Sequence, residues 1–172
     1  MKLTDRDVEL MQYINKCKGI TIEQAILLFF PSYNTAVRRL RILHEGGYLK
    51  CSIHPVLNKK VYYTKKLPSY HTIVINHICI LLKDKIYKVE REFKISNFKV
   101  DMLLIMKSKN IVIVEVDIFN RTTKNKYNKI KEEFNKRNLN FEMIIVTKNK
   151  IKNQFCNQIN IDEIEKLNNI IL

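Results

Sequence analysis

The hydrophobic and polar positions of the first 66 residues follow helical spacing and then strand spacing. Apolar residues recur every three to four positions in three consecutive segments, which predicts three helices. Two short β-like runs follow, separated by the sequence HPVLN, and this arrangement is typical of a hairpin. The predicted elements are a helix ending near Lys18-Gly19, a helix over residues 22–30, a helix ending at Glu45, and strands over residues 48–53 and 59–64.

The third predicted helix carries most of the functional information. Ser32 or Asn34 can cap its start, and Gly46-Gly47 supplies a left-handed ending. Its apolar residues at i, i+3 and i+6 should face the core, and these are Val37, Leu40 and Leu43. The arginines between them should then point mostly outward, and these are Arg38, Arg39 and Arg41. They either contact a partner or form an ordinary solvated helix face.

Three helices followed by a two-stranded ribbon is the arrangement of a winged helix-turn-helix domain, whose third helix enters the DNA major groove. The segment LRILHEGGYLK resembles the passage from recognition helix to wing in bacterial winged-helix proteins. Some winged helices contact proteins instead of DNA, and that alternative stays open. The residues expected at DNA are polar or basic and lie on the third helix or beside the hairpin turn: Asn34, Thr35, Arg38, Arg39, Arg41, Lys59 and Lys60.

The remaining residues predict a second domain built on a mixed sheet. The sequence KKLP around residue 66 marks a boundary, so we expect domains at residues 1–66 and 67–172. Predicted helices cover residues 70–82, 122–137 and 162–171, and predicted strands cover residues 87–94, 98–106, 111–117 and 141–147. Helix, three strands, helix and strand is the core order of the restriction-endonuclease-like, or PD-(D/E)XK-like, fold. The fold class is therefore α+β or α/β.

The strand over residues 111–117 combines a buried β-branched run with two acids, Glu115 and Asp117, that should point to one face. Asp101 lies on the preceding strand. In nucleases of this fold, an acid on the second core strand and a Glu-x-Lys pair on the third bind the magnesium ion that activates water. Here Asp117 stands in the place of that lysine. The three acids could bind metal without cutting, form hydrogen bonds, or be plain surface acids.

Other residues could complete such a site. Lys126 or Lys129 on the following helix could replace the missing lysine, and Glu90 or Glu92 could supply an outer carboxylate. Because the expected lysine is absent from its strand, we expect the second domain to be catalytically inactive. No cofactor is expected, except Mg²⁺ if the acids bind a metal.

The chain has 172 residues and a net charge of +14, from 31 Lys+Arg against 17 Asp+Glu. Both predicted domains are basic, each with a net charge of +7. Double-stranded DNA is the partner that this charge favours, because neutralised phosphates release counterions. A Lys- and Asn-rich composition with a solvated surface is the other explanation. Scattered cysteines, with no signal peptide and no membrane-spanning segment, favour a cytoplasmic protein without membrane contact.

The order of these features resembles the replication-relaxation family of plasmid and mobile-element proteins. The resemblance covers roughly residues 5–147, and its matching segments are LRILHEGGYL, HTIVIN at residues 71–76, Val100-Asp101, VEVD ending at Asp117, and the helix with Lys129 and Phe134. The family's proline before the strand-two acid is Val100 here, and its arginine after Glu-x-Asp is Ile118. The resemblance implies DNA binding in plasmid replication, mobilisation or transcriptional control.

We therefore expect a DNA-binding accessory or regulatory protein of a plasmid or mobile element. A metal-dependent DNA endonuclease that uses Asp101 and Glu115 is the first alternative. The second alternative is a dimerising transcriptional regulator without metal, so that a homodimer stays open.

Overall fold

A computed structural model of the chain describes residues 2–118, 121–148 and 155–170. The chain divides into two units, Met1–Ile80 and Leu81–Leu172. The predicted boundary, between residues 66 and 67, lies before the observed one, between Ile80 and Leu81. The helix that follows the predicted boundary belongs to the first unit. In the described ranges, no helix combines the length and the apolar character that crossing a bilayer requires.

The first unit is built from three helices, a small sheet and a fourth helix. In chain order the elements are α1 (Asp5–Cys17), β1 (Ile20–Thr21), α2 (Ile22–Leu28), α3 (Tyr33–Glu45), β2 (Lys50–Ile53), β3 (Lys60–Tyr63) and α4 (Tyr70–Leu81). The sheet has the order β1-β3-β2, and its pairs are antiparallel. The predicted helices and the hairpin are confirmed, whereas β1 was not predicted.

Side-chain caps fix where the first three helices begin. The Asp7 carboxylate accepts a hydrogen bond from the Thr4 N–H at 2.7 Å, while the Thr4 hydroxyl accepts from the Asp7 N–H at 3.4 Å. This reciprocal pair is a capping box. Thr21 and Gln24 form the same box at the start of α2, and Ser32 caps α3. Short polar residues therefore set the helix starts, and the predicted cap of the third helix by Ser32 is confirmed.

The third helix packs one face into the core of its unit. Ala36, Leu40 and Leu43 are fully buried, and Val37 is half-buried. The predicted core face of this helix is confirmed. Gly47 then adopts a left-handed φ of +77°, which a side chain would strain. This residue lets the chain turn sharply from α3 toward β2.

Arg39 does not point outward as predicted. Its Nε lies 2.7 Å from Asp7 Oδ1, and its Nη2 donates to Oδ2 of the same carboxylate. The Asp7 side chain is 1% exposed and that of Arg39 is 23% exposed. The hydrogen bond from Arg39 holds the pKa of Asp7 at about 2, below its ordinary value of 3.8. A buried carboxylate requires such a partner, so Arg39 joins α3 to α1 and the predicted orientation is wrong.

Two buried side-chain amides attach α4 to the first unit. Asn76 Nδ2 donates to the Cys17 carbonyl at 2.9 Å, and Gln24 Nε2 donates to the Ile73 carbonyl at 2.9 Å. Both amides are almost fully buried, and Asn76 Nδ2 also donates to the Gly19 carbonyl at 3.3 Å, so these buried polar groups are satisfied by bonds within the unit. These bonds explain why α4 folds with the first unit and why the boundary falls at residue 80.

The second unit is a five-stranded sheet with helices. Its elements are β4 (Ile86–Ile95), β5 (Phe98–Met106), β6 (Ile111–Asp117), α5 (Lys124–Asn135), β7 (Phe141–Thr147), β8 (Asn157–Asn160), a 3₁₀ helix (Ile161–Lys166) and α6 (Leu167–Ile170). The strand order is β4-β5-β6-β7-β8. The first three strands are antiparallel neighbours, and the pairs β6–β7 and β7–β8 are parallel. This mixed sheet is compatible with a restriction-endonuclease-like fold.

The helix α5 crosses from β6 to β7 and covers the sheet. Its Ile130 and Phe134 pack in one apolar cluster with Leu103, Ile113 and Met143 of three strands. The predicted helix over residues 162–171 is instead a 3₁₀ helix followed by a four-residue α-helix, and residue 171 lies outside the described residues. The strand β8 was not predicted, because NQIN has no apolar run.

Replacing Asp7 by Ala should lower the unfolding free energy by roughly 3 kcal/mol, because it removes the cap of α1 and the partner of Arg39. Chemical denaturation followed by circular dichroism measures this change. Asp5→Ala is the matched control, since Asp5 is exposed in the same helical turn and should contribute less than about 1 kcal/mol. An equal loss in both variants would contradict the structural role of Asp7.

Candidate functional site

The outer side of α3 presents four of the predicted DNA-binding residues to solvent. Asn34, Thr35, Arg38 and Arg41 are all exposed. The Arg41 Nε lies 3.6 Å from Glu45 Oε1, and both side chains are mostly exposed. An exposed ion pair of this kind contributes at most about 1 kcal/mol. The contact therefore leaves Arg41 able to exchange Glu45 for another anion.

The β2–β3 hairpin carries the two predicted lysines. Lys60 is exposed at the start of β3, while Lys59 Nζ lies 2.7 Å from Glu23 Oε1 in an exposed ion pair. The turn itself is held by His54, whose Nδ1 accepts hydrogen bonds from the N–H of Val56 at 3.2 Å and from the next N–H at 3.3 Å. The turn is thus ordered by a histidine, and both lysines remain at the surface.

Three large apolar side chains beside these residues were not predicted as surface groups. Tyr33 in the first turn of α3, and Ile53 and Val56 in the hairpin, are all exposed. Apolar residues are assigned to the core by default, so their exposure could not be read from composition. Only the place of Tyr33 directly after the capping Ser32 could have indicated a surface position.

Glu115 is the buried acid of the second unit. It is 4% exposed within β6, and its Oε1 lies 2.6 Å from Lys126 Nζ. Lys126 lies in the first turn of α5, where its N–H donates to the capping hydroxyl of Thr123 at 3.2 Å. Lys126 of α5 is therefore the basic partner of Glu115. Lys129, the other candidate, lies over the Phe98 ring at 5.6 Å.

Burial dominates the titration of Glu115. Removal of the carboxylate from water raises its pKa, Lys126 lowers it through a hydrogen bond and its charge, and the charges of Asp101 and Asp117 raise it. The result is a pKa of about 7, against an ordinary value of 4.5. A carboxyl group with this pKa gains and loses a proton near neutral pH, as a general acid or base must.

Asp101 lies where the regular ladder of the sheet is interrupted. Pairing between β5 and β6 ends at Met102 and Val114, and the Asp101 Oδ2 then accepts a hydrogen bond from the Val116 N–H at 2.8 Å. On the other side, Glu92 interrupts the pairing between β4 and β5 with a φ of +52°. Positive φ at such a residue is uncommon and is concentrated at functional sites. The Asp101 carboxylate thus bonds to the backbone of β6.

Asp117 at the end of β6 is bonded to Thr122, just before α5. Its Oδ2 accepts from the Thr122 N–H at 2.6 Å, and its Oδ1 accepts from the Thr122 hydroxyl at 2.8 Å. Glu90 and Glu92, the candidates for an outer carboxylate, each pair with a lysine, at 2.7 and 2.9 Å. Asp117 therefore positions the start of the helix that carries Lys126.

The three predicted acids each hold a different partner. Among the residues that the structure describes, no three His, Cys, Asp or Glu side chains are grouped as ligands of one metal ion. The observed contacts of Asp101, Glu115 and Asp117 are hydrogen bonds and an ion pair. The magnesium site stays a prediction.

Comparison with known proteins gives a distant structural likeness. No protein-family model and no curated protein matches the chain. The crystal structure of a repair endonuclease from Pyrococcus abyssi is 16% identical in sequence, with a TM-score of 0.36 over 66% of this chain. The match spans about half of that structure's own chain, 49%. A likeness at this level carries no argument about function.

The unfolding free energy should fall as the pH rises from about 4.5 to about 7, because folded Glu115 keeps a proton that the unfolded chain releases. The stabilisation is fully present below pH 4.5. Its size is on the order of 3 kcal/mol, since a tenfold change in proton affinity corresponds to about 1.4 kcal/mol. Urea denaturation at several pH values measures it.

Glu115→Gln should remove this part of the pH dependence, because glutamine does not titrate. Glu132→Gln is the matched control, since Glu132 is exposed on α5, and it should keep the wild-type dependence. Identical pH dependence in the wild type and in Glu115→Gln would mean that Glu115 does not hold the proton.

Proposed function

We propose that the chain is a DNA-binding protein and that its first unit is a winged helix-turn-helix domain. The helices α1, α2 and α3 and the β2–β3 hairpin have the element order of that domain, with α3 as the recognition helix. The observation that carries the proposal is the division of α3 into two faces. Ala36, Leu40 and Leu43 are buried, whereas Arg38 and Arg41 are exposed.

The exposed face of α3 has the chemistry that duplex DNA requires. Arg38 and Arg41 have the length and the donors to contact base edges and phosphates. Asn34 and Thr35 add short polar groups at the start of the helix, where phosphate contacts are common. Arg39 has a different role in this proposal, because its ion pair holds α3 against α1.

The hairpin supplies flanking contacts in this proposal. Lys60 is exposed, and the ion pair of Lys59 with Glu23 is open to solvent, so that phosphate can replace Glu23 at little cost. The first 66 residues carry a net charge of +7. Binding should therefore release counterions, and affinity should decrease steeply with added salt.

Arg38→Ala and Arg41→Ala should each weaken duplex binding by roughly tenfold, and more when combined, because each removes charge-assisted contacts without touching the core. Fluorescence anisotropy with a labelled duplex of random sequence measures the affinity. Lys16→Ala is the matched control, since Lys16 is an exposed base on α1 outside the proposed interface. Unchanged affinity of the combined variant, or an equal loss in the control, would contradict the assignment of α3.

The sequence resemblance described above supports an accessory or regulatory role on a plasmid or other mobile element, in replication, mobilisation or transcriptional control. A homodimer would bind two half-sites and would require a two-fold symmetric DNA site. Selection of bound oligonucleotides from a random pool distinguishes a dimer from a monomer. A palindromic consensus supports a dimeric regulator, and an asymmetric consensus supports a monomer.

A metal-dependent DNA endonuclease is the second candidate function, and one contact favours it. Lys126 Nζ lies 2.6 Å from Glu115 Oε1, and in this candidate function Lys126 would take the role of the lysine in the Glu-x-Lys pair. Asp101 and Glu115 could together hold Mg²⁺, which usually takes one or two protein carboxylates alongside substrate phosphates. When bound, the metal would supply Lewis acidity. Lys126 would neutralise charge that develops on the phosphate.

Plasmid cleavage in Mg²⁺ or Mn²⁺ tests this candidate. Asp101→Ala and Lys126→Ala should each reduce cleavage by roughly a hundredfold or more, because each removes part of the charge stabilisation. Lys124→Ala is the matched control, since Lys124 is exposed in the same helical turn, and it should cleave as the wild type does. If the protein cleaves plasmid neither in Mg²⁺ nor in Mn²⁺, this function is ruled out.

A further inference from the structure

The second unit contains a cleft that is lined neither by α3 nor by Asp101, Glu115 or Asp117. It has a volume of about 120 Å³ and lies at the C-terminal end of α5. Its apolar walls include Phe93 of β4, Leu103 of β5, Phe134 of α5 and Leu139 just after that helix. Glu115 lies at the other end of α5, beside its first turn. The cleft is therefore a separate place on the unit.

The walls of the cleft suit a single flat ring. A closed apolar cavity of about 150 Å³ binds benzene, and this cleft is of similar size but open on one side. Phe93 and Phe134 offer aromatic surface, on which nucleobases and other flat rings stack. Leu139 is 41% exposed at the mouth. A bound ring would remove this apolar surface from water.

The rim of the cleft favours a negative charge beside that ring. Lys94 and Arg137 line the cleft and are exposed. Glu133 also lines the cleft, but Lys136 Nζ lies 2.8 Å from its Oε1 and neutralises it. The net charge at the rim is therefore positive.

A flat ring with an adjacent anion is the chemistry of a nucleotide. We propose that this cleft binds one nucleotide, with the base against the Phe93 and Leu139 side chains that line it and the phosphate at Lys94 and Arg137. The nucleotide is either free or one unit of a single-stranded nucleic acid. This site does not rest on duplex binding by α3, because all its residues belong to the second unit.

Titration of the 172-residue chain with thymidine 5′-monophosphate, thymidine and a labelled oligothymidylate of about 10 nucleotides tests the proposal. Thymidine lacks the phosphate and should bind roughly tenfold more weakly than the monophosphate. Arg137→Gln should cause a similar loss for the monophosphate. Leu139→Trp, at the exposed mouth, should fill the cleft and abolish binding. Lys131→Gln is the matched control, since Lys131 is exposed on α5 and does not line the cleft.

The two sources of the nucleotide give different results. If the monophosphate binds and the oligothymidylate does not, the ligand is a free nucleotide. If the monophosphate and the oligothymidylate both bind, and Arg137→Gln weakens both equally, the ligand is a single strand. The proposal is overturned if neither the monophosphate nor the oligothymidylate binds, or if thymidine binds as tightly as its monophosphate. It is also overturned if Leu139→Trp binds the monophosphate as the wild type does. The combined Arg38→Ala and Arg41→Ala variant should lose duplex binding and keep the monophosphate. Failure of duplex binding alone would thus overturn only the role of α3.

Discussion

The ion pair between Arg39 and Asp7 is the constraint on which the first unit depends. Asp7 is fully buried, caps α1 with Thr4, and receives two hydrogen bonds from Arg39 of α3. One carboxylate thus fixes both the start of α1 and the position of α3. Because an unpaired buried charge is costly, the buried Asp7 carboxylate holds Arg39 against α1. The proposed DNA surface consists of the two arginines that the fold does not use, Arg38 and Arg41.

A buried acid also organises the second unit. Glu115 lies within β6, and Lys126 reaches it from the first turn of α5. In each unit a buried carboxylate therefore binds one basic residue of a cationic helix, and the neighbouring bases stay at the surface. A net charge of +14 does not show which basic residues are paired with buried acids and which stay at the surface. The distinction decides which lysines and arginines are available to a polyanion.

The type and order of most elements could be predicted because they follow from local pattern. The strands β5, β6 and β7 match their predicted bounds, since each is an apolar run between polar turns. The strands β1 and β8 could not be predicted, because two residues or a polar segment carry no periodicity. The orientation of Arg39 depends on Asp7, 32 residues away, and the contact between Lys126 and Glu115 depends on how α5 packs. Such tertiary contacts cannot be recognised from the spacing of residue types along the sequence.

Hydrogen–deuterium exchange of the chain with and without duplex DNA shows directly whether α3 contacts DNA. Bound DNA shields backbone amides and suppresses local opening where it contacts the protein. We expect slower exchange in α3 and in the β2–β3 hairpin, with little change in α1. Protection confined to the second unit, or no protection at saturating duplex, would contradict this expectation.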